Sequence, residues 1–203
     1  MVGTRGIIGL VAYRALTIVL RQRVVDILST MAGIVLVTGP QAAGKTTVSA
    51  LLARRFERGV HLDGDAFRRF IVAGREEMTP EASDEALAQL RLRYRITASA
   101  ARTYVEAGFD VIVDDVVAGP MLAEVVEQLR IGPGRVFVLL PSRKAVAARE
   151  RDRSQAGYEG WSVDELCELF ETGTPRIGTW IDTSAMTEHE TVDLVLDALR
   201  KRR

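Results

Sequence analysis

Residues 39–46 read Gly39-Pro40-Gln41-Ala42-Ala43-Gly44-Lys45-Thr46, GPQAAGKT, which satisfies the pattern GxxxxGK[ST] at every position. The run Ile34-Val35-Leu36-Val37 comes just before it, and Val48, Leu51, Leu52 and Phe56 follow at helical spacing. An apolar strand, a glycine-bearing turn and a helix form the setting in which this pattern binds phosphate. Backbone N–H groups splayed by the two glycines surround a β-phosphate, and the N-terminus of the following helix adds its partial positive charge. The nucleotide site is therefore assigned to Gly39, Pro40, Gln41, Ala42, Ala43, Gly44, Lys45, Thr46 and Thr47. Lys45 is expected to bridge the β- and γ-phosphates of ATP, and the Thr46 hydroxyl to ligate Mg2+.

Outward from this loop, short apolar runs alternate with longer helical patterns, the signature of a parallel sheet covered on both faces. The strands are predicted at 34–38, 60–62, 111–113, 136–140 and 179–181, and the helices at 45–57, 84–107, 121–129, 144–151, 163–170 and 192–199. The fold class is α/β, a three-layer α/β/α P-loop NTPase domain with a parallel sheet of about five strands. The domain is assigned to residues 31–203, with a lid at about 149–161 and an N-terminal extension over residues 1–30.

Composition narrows the function. A chain of 203 residues with 47% hydrophobic residues has enough material for a core. Twenty-seven basic and twenty-seven acidic residues cancel, so net charge gives no sign of a nucleic-acid or anionic-membrane partner. The lone Cys167 has no intrachain disulfide partner, which fits a reducing cytoplasm. The apolar run from Ile7 to Leu20 is broken by Arg14 and falls short of the roughly 18 uncharged residues of a spanning helix. It reads as a peripheral helix, or as sequence upstream of a start at Met31. Oligomeric state has no signal here.

Ligands of open parallel sheets bind beyond the carboxyl ends of the strands. The second strand runs into Asp63-Gly64-Asp65 and the third into Asp114-Asp115, so carboxylates are expected beside the phosphate loop. Side chains alternate along a strand, so one of Asp114 and Asp115 faces the metal, and the form FDVIVD favours Asp114. Asp65 and Arg68, three apart, share a helical face. Asp65 is the candidate general base for an acceptor hydroxyl, with Asp63 and Arg68 toward the acceptor. Arg69 reads as a surface charge, and Arg91 and Arg95 first as a solvated face. In RERDRSQAGYEGW, 149–161, Arg149 and Arg153 lie four apart and are the candidates to close over the γ-phosphate.

GPQAAGKTT, DGDAFR, VIVDDV and the RERDR lid together resemble the small P-loop kinases that phosphorylate hydroxyl groups, especially the chloramphenicol phosphotransferase-like group. The resemblance runs from about Gly33 to the C-terminus, and it implies that Asp65 is the catalytic base. DGDAFR is also similar to the acidic turns of adenylylsulfate kinases and of zeta-toxin kinases, which act on a nucleotide sugar. VVAGP stands where adenylylsulfate kinases carry a Ser-Pro segment, which argues against sulfate activation. By the same resemblance, the turn 183–186 with Ser184 lies where related kinases hold adenine. The expected function is an ATP- and Mg2+-dependent kinase acting on a small-molecule hydroxyl, with a nucleotide or sugar nucleotide as the alternative acceptor. The alternative class is a nucleotide-dependent switch or regulatory ATPase. Against it stand the missing NKxD motif, a third strand that does not end in DxxG, and a chain too short for a ring ATPase with its added helical domain.

Overall fold

The computed structural model describes residues 33–151 and 161–201. Five parallel strands form one sheet: β1 (Ile34–Thr38), β2 (Gly59–Asp63), β3 (Asp110–Asp114), β4 (Val136–Leu139) and β5 (Thr179–Ile181). Their spatial order is β2-β3-β1-β4-β5, so β1 has a neighbour on each side and its C-terminal end lies near the middle of the sheet edge. The inner strands β1, β3 and β4 are rich in consecutive apolar residues because both of their faces are covered. Val35, Val37, Ile112, Phe137 and Leu139 pack on one face with Leu52, Val195 and Leu196. Ile34, Leu36, Val111, Val113, Val136 and Val138 pack on the other with Tyr94, Leu122 and Phe170. Burying side chains such as Leu36 or Ile112 completely contributes about 1.5–3 kcal/mol each.

Seven helices are described: α1 (Lys45–Ala53), α2 (Asp65–Arg69), α3 (Asp84–Glu106), α4 (Met121–Leu129), α5 (Arg143–Arg151), α6 (Val163–Glu168) and α7 (Glu188–Lys201). α3 starts cleanly because Ser83 accepts from the Ala86 N–H, with Asp84 and Glu85 at the positive end of the helix dipole. All five expected strands and six expected helices are present, with boundary differences that have local causes. α1 ends at Ala53, after which Phe56 turns inward to the core. β4 stops at Leu139, although the Leu140 N–H still reaches the Ile181 carbonyl at 2.8 Å. The helix expected over 163–170 widens into a π-helical turn, Leu169–Gly173. There the Thr174 hydroxyl donates to the Leu169 carbonyl and accepts from the Gly119 N–H, tying the turn to the loop after β3.

Register places the chemistry. Val37 pairs with Asp114, and Asp114 pairs with Asp63, so the ends of β1, β3 and β2 stand abreast. Among the described residues, no helix is long and apolar enough to cross a membrane. The expected N-terminal helix, Arg153 and most of the expected lid lie outside the described residues.

Candidate active site

The phosphate loop joins β1 to α1. Gly39 has φ 147°, and a Cβ built there would lie 2.1 Å from the Leu139 carbonyl oxygen of β4, so only glycine lets the chain leave the sheet this way. Ala42 at φ 57° and Gly44 at φ 92° are left-handed and turn the loop's amides inward. Gly44 is the N-cap of α1, with no side chain bonded across the helix end and no acidic residue in its first turn. Lys45 is nearly buried, and its ammonium donates to the Pro40 carbonyl at 2.9 Å, folding back over the loop. Pro40 and Ala43 are buried, Gln41 is half-buried, and Thr46 and Thr47 are exposed at the start of α1.

The acidic turn follows β2. The Gly64 N–H donates to the Asp114 carbonyl at 2.9 Å, extending the β2–β3 ladder by one bond before the chain turns into α2. Asp63 accepts from the Asp65 N–H at 3.0 Å and from Arg69 at 3.0 Å, so the side chain expected at the acceptor is engaged within the turn. Asp65 meets three arginines. Its Oδ1 accepts from Arg68 Nε and from Arg93 Nη1, each at 3.2 Å, and its Oδ2 accepts from Arg69 Nη1 at 2.8 Å. Arg68 also pairs closely with Glu77. Arg69 is thus part of the cluster rather than an idle surface charge. Its bond to Asp63, helped by the fields of Asp63 and Asp65, raises its pKa above the usual arginine value against a partial loss of hydration.

Asp114 and Asp115 are both buried and turn to different partners, as strand alternation requires. Asp114 Oδ2 lies 3.3 Å from His61 Nε2 on β2. Asp115 Oδ1 accepts from Arg93 Nη2 at 2.9 Å and from the Val116 N–H at 2.7 Å. Loss of hydration pushes the Asp115 carboxyl up to about 6, with the Arg93 cation pulling it down and the Asp65 charge pushing it up.

Arg93, His61 and the bond from Asp115 to Arg93 are features that pattern reading did not identify. A signal existed for the arginine: Ala86, Leu90, Arg93 and Thr97 are spaced as one helix face, and two of the four are polar. Arg91, in contrast, bonds Glu124 of α4 at 3.3 Å and faces away from the acidic turn.

The Thr46 hydroxyl and the Asp114 carboxylate are hard oxygen donors of the kind Mg2+ takes, one or two from protein with the rest from phosphates and water. No group of three or more His, Cys, Asp or Glu side chains is arranged as a metal cage among the described residues, and a nucleotide-bound Mg2+ does not need one. Beyond β5, the Ser184 hydroxyl accepts from the Ser142 N–H at 2.7 Å and bonds Asp182 closely. That contact holds the Asp182 carboxyl below its usual range. Arg149 donates to the Thr183 carbonyl at 2.9 Å, so the guanidinium expected over the γ-phosphate is held at the β5 loop.

The AAA_33 family, described as an AAA domain, matches residues 34–167, from the first residue of β1 into α6. The chain belongs to this AAA domain family. No curated protein matches it. Among solved structures, the Deinococcus radiodurans tunicamycin resistance protein is 20% identical with a TM-score of 0.59, covering 81% of this chain and 94% of its own. A sugar kinase from Janibacter sp. HTCC2649 is 19% identical with a TM-score of 0.59, covering 82% and 94%. Shikimate kinase from Acinetobacter baumannii is 17% identical with a TM-score of 0.56, covering 84% and 94%. At these identities the likeness is one of fold: this AAA domain has the α/β fold of small P-loop kinases.

Proposed function

We propose that this AAA domain is an ATP-dependent phosphotransferase that moves the γ-phosphoryl group to a hydroxyl of a small molecule, in the manner of the chloramphenicol phosphotransferase-like group. The observation that carries the reading is the alignment of three strand ends, which sets the phosphate loop beside Asp114 and the Asp63-Gly64-Asp65 turn. A bare ATPase has no need of that second acidic turn, whereas an alcohol acceptor needs a base.

In this reading, residues 39–47 hold ATP and Lys45 leaves Pro40 to meet the β- and γ-phosphates. Thr46 and Asp114 would hold Mg2+, which would neutralise phosphate charge when bound. Asp65 takes the acceptor proton as the acceptor oxygen bonds to the γ-phosphorus. The bond from that phosphorus to the β,γ-bridging oxygen breaks, and ADP leaves. Arg149, once released from the Thr183 carbonyl, and Arg153 would close over the γ-phosphate, and Ser184 would lie on the adenine side. A site that consumes ATP this way fits the cytoplasm.

The acceptor reading rests on a small groove between α2 and α3 with a cavity volume of about 50 Å3. Phe67, Ile71, Met78, Leu92 and Ile96 supply an apolar wall. Its two arginines, Arg68 and Arg93, are each bound to two carboxylates. An anionic acceptor would have to break those pairs, so a neutral alcohol with an apolar body suits the groove better than a sugar acid.

The test is ATP turnover with Mg2+ against a panel of neutral aryl and alkyl alcohols, nucleosides, sugar nucleotides and sugar acids, with products read by mass. A product heavier by one phosphoryl group, absent with Lys45→Ala, supports the reading. ATP hydrolysis stimulated by a protein partner, with no phosphorylated alcohol, would replace it with the regulatory ATPase.

A further inference from the structure

A guanidinium inside a protein is costly unless its charge and donors are matched. Arg93 is 5% exposed, in the middle of α3, and it joins two carboxylates that belong to different parts of the fold. Its Nη2 bonds Asp115 at 2.9 Å, and the Asp115 side chain is 1% exposed and pinned to its own β3 loop by the Val116 N–H. Its Nη1 bonds Asp65 at 3.2 Å, and that side chain is 27% exposed on the five-residue α2. One side of the bridge is thus anchored to the sheet, and the other reaches the more exposed carboxylate. Beside Arg93, the buried Thr97 hydroxyl donates to its carbonyl at 3.0 Å, and its guanidinium lies 5.3 Å from the Tyr94 ring centroid.

The other two arginines at Asp65 are different. Arg69 is 54% exposed, and an ion pair so open to water is weak. Arg68, 26% exposed, divides its guanidinium between Asp65 and Glu77, so neither holds the carboxylate to the sheet as the buried Arg93 does.

We propose that Arg93 is a positioning residue: its buried guanidinium clamps Asp65 to the end of β3 through Asp115, and so sets where the proton acceptor stands relative to the phosphate loop. The inference rests on the reading of Asp65 as the base. It adds a part that bears on the proton transfer by holding Asp65 in place. The two planar nitrogens matter, because each serves a different carboxylate.

The experiment uses the full chain and Mg-ATP, with water as the attacking nucleophile. Two variants remove the two-nitrogen bridge without leaving an uncompensated buried charge: Arg93→Lys, and Arg93→Met combined with Asp115→Asn. Thermal unfolding identifies folded protein. Both are expected to lower kcat for ATP hydrolysis by about 10–100-fold while KM for ATP stays near wild type, as expected of misplacement by about 1 Å. Wild-type kcat in either folded variant overturns the clamp, since charge balance alone would then suffice. A parallel rise of KM in both would make Arg93 part of the nucleotide site and overturn it equally. Asp65→Asn run alongside separates the two levels. If it loses kcat while the Arg93 variants do not, the base stands and the clamp falls; if it keeps kcat, both fall.

Discussion

Gly64→Ala should destabilise this protein even though its backbone conformation suits alanine. Gly64 has φ −66° and ψ −30°, ordinary helical values, so by conformational entropy alone alanine should gain about 0.5–1 kcal/mol. Contact reverses the sign. A Cβ at this position would lie 2.2 Å from Asp115 Oδ2, 2.9 Å from its Cγ and 3.2 Å from its Cβ. Clearance requires a shift of roughly 1 Å, judged against carbon contacts of about 3.5 Å. Neither side gives easily. The carboxylate is held by Arg93 at 2.9 Å and the Val116 N–H at 2.7 Å, and the Gly64 backbone is held by the Asp114 carbonyl at 2.9 Å. Overpacking of this kind costs about 1–3 kcal/mol, and loosening a bond to a charged group adds up to about 1.5–3 kcal/mol. Against the alanine gain, the net loss is about 2–3 kcal/mol, a fall in melting midpoint of roughly 5–10 °C for a chain of this size. Thermal and urea unfolding followed by circular dichroism would measure it. An unchanged or raised midpoint would refute the reasoning, because it would mean that the carboxylate moves aside without cost. The same substitution in an Asp115→Ala background should be neutral or stabilising, which assigns the loss to that contact.

Two further outcomes can be stated. Asp65→Asn should retain ATP binding by calorimetry and lose roughly 10²–10⁴-fold in phosphoryl transfer; weakened nucleotide binding with intact chemistry would move Asp65 into the metal site. Asp115 gives a pH dependence. Its carboxyl is raised in the fold from about 3.8 to about 6, so the folded protein holds that proton more tightly than the unfolded chain. The resulting stabilisation is complete below the unfolded value and is lost as pH rises through about 6. Asp115→Asn lacks this loss, so its stability relative to wild type should grow between pH 4 and pH 7.5 by up to about 3 kcal/mol. Paired urea titrations at the two values would show it, and a difference that does not vary with pH would refute it.

The fold was legible because its signals are local and mutually consistent. The apolar runs that became β1, β3 and β4 are buried from end to end, so composition alone marked them. The glycines of the phosphate loop are required by backbone geometry at the residues where the pattern places them. Element ends were less legible, because they depend on partners distant in the chain. The π-helical turn at Leu169–Gly173 is tied through Thr174 to Gly119, and no local pattern carries that bond.

The candidate site divides in the same way. Its phosphate half is written in eight consecutive residues. Its acceptor half is assembled from β2, β3 and α3, and there residue spacing says less. Arg91 and Arg95 share a helical face that reads as solvated, and Arg91 is exposed there, bonding Glu124 of α4. Arg93, two positions away, faces the sheet and bridges carboxylates 28 and 22 residues distant. The informative feature was therefore not a cluster of like charges but a single charge at an apolar position. A solvated arginine has no reason to occur on the buried face of a helix, where it costs several kcal/mol unless acids meet it. Two acids at strand ends and one arginine on the inner face of the helix between them in sequence are the ingredients of an ion-pair network. The network's geometry still has to come from the sheet, because only the register of β2 against β3 brings the Gly64 turn close enough for Asp65 and Asp115 to share one guanidinium.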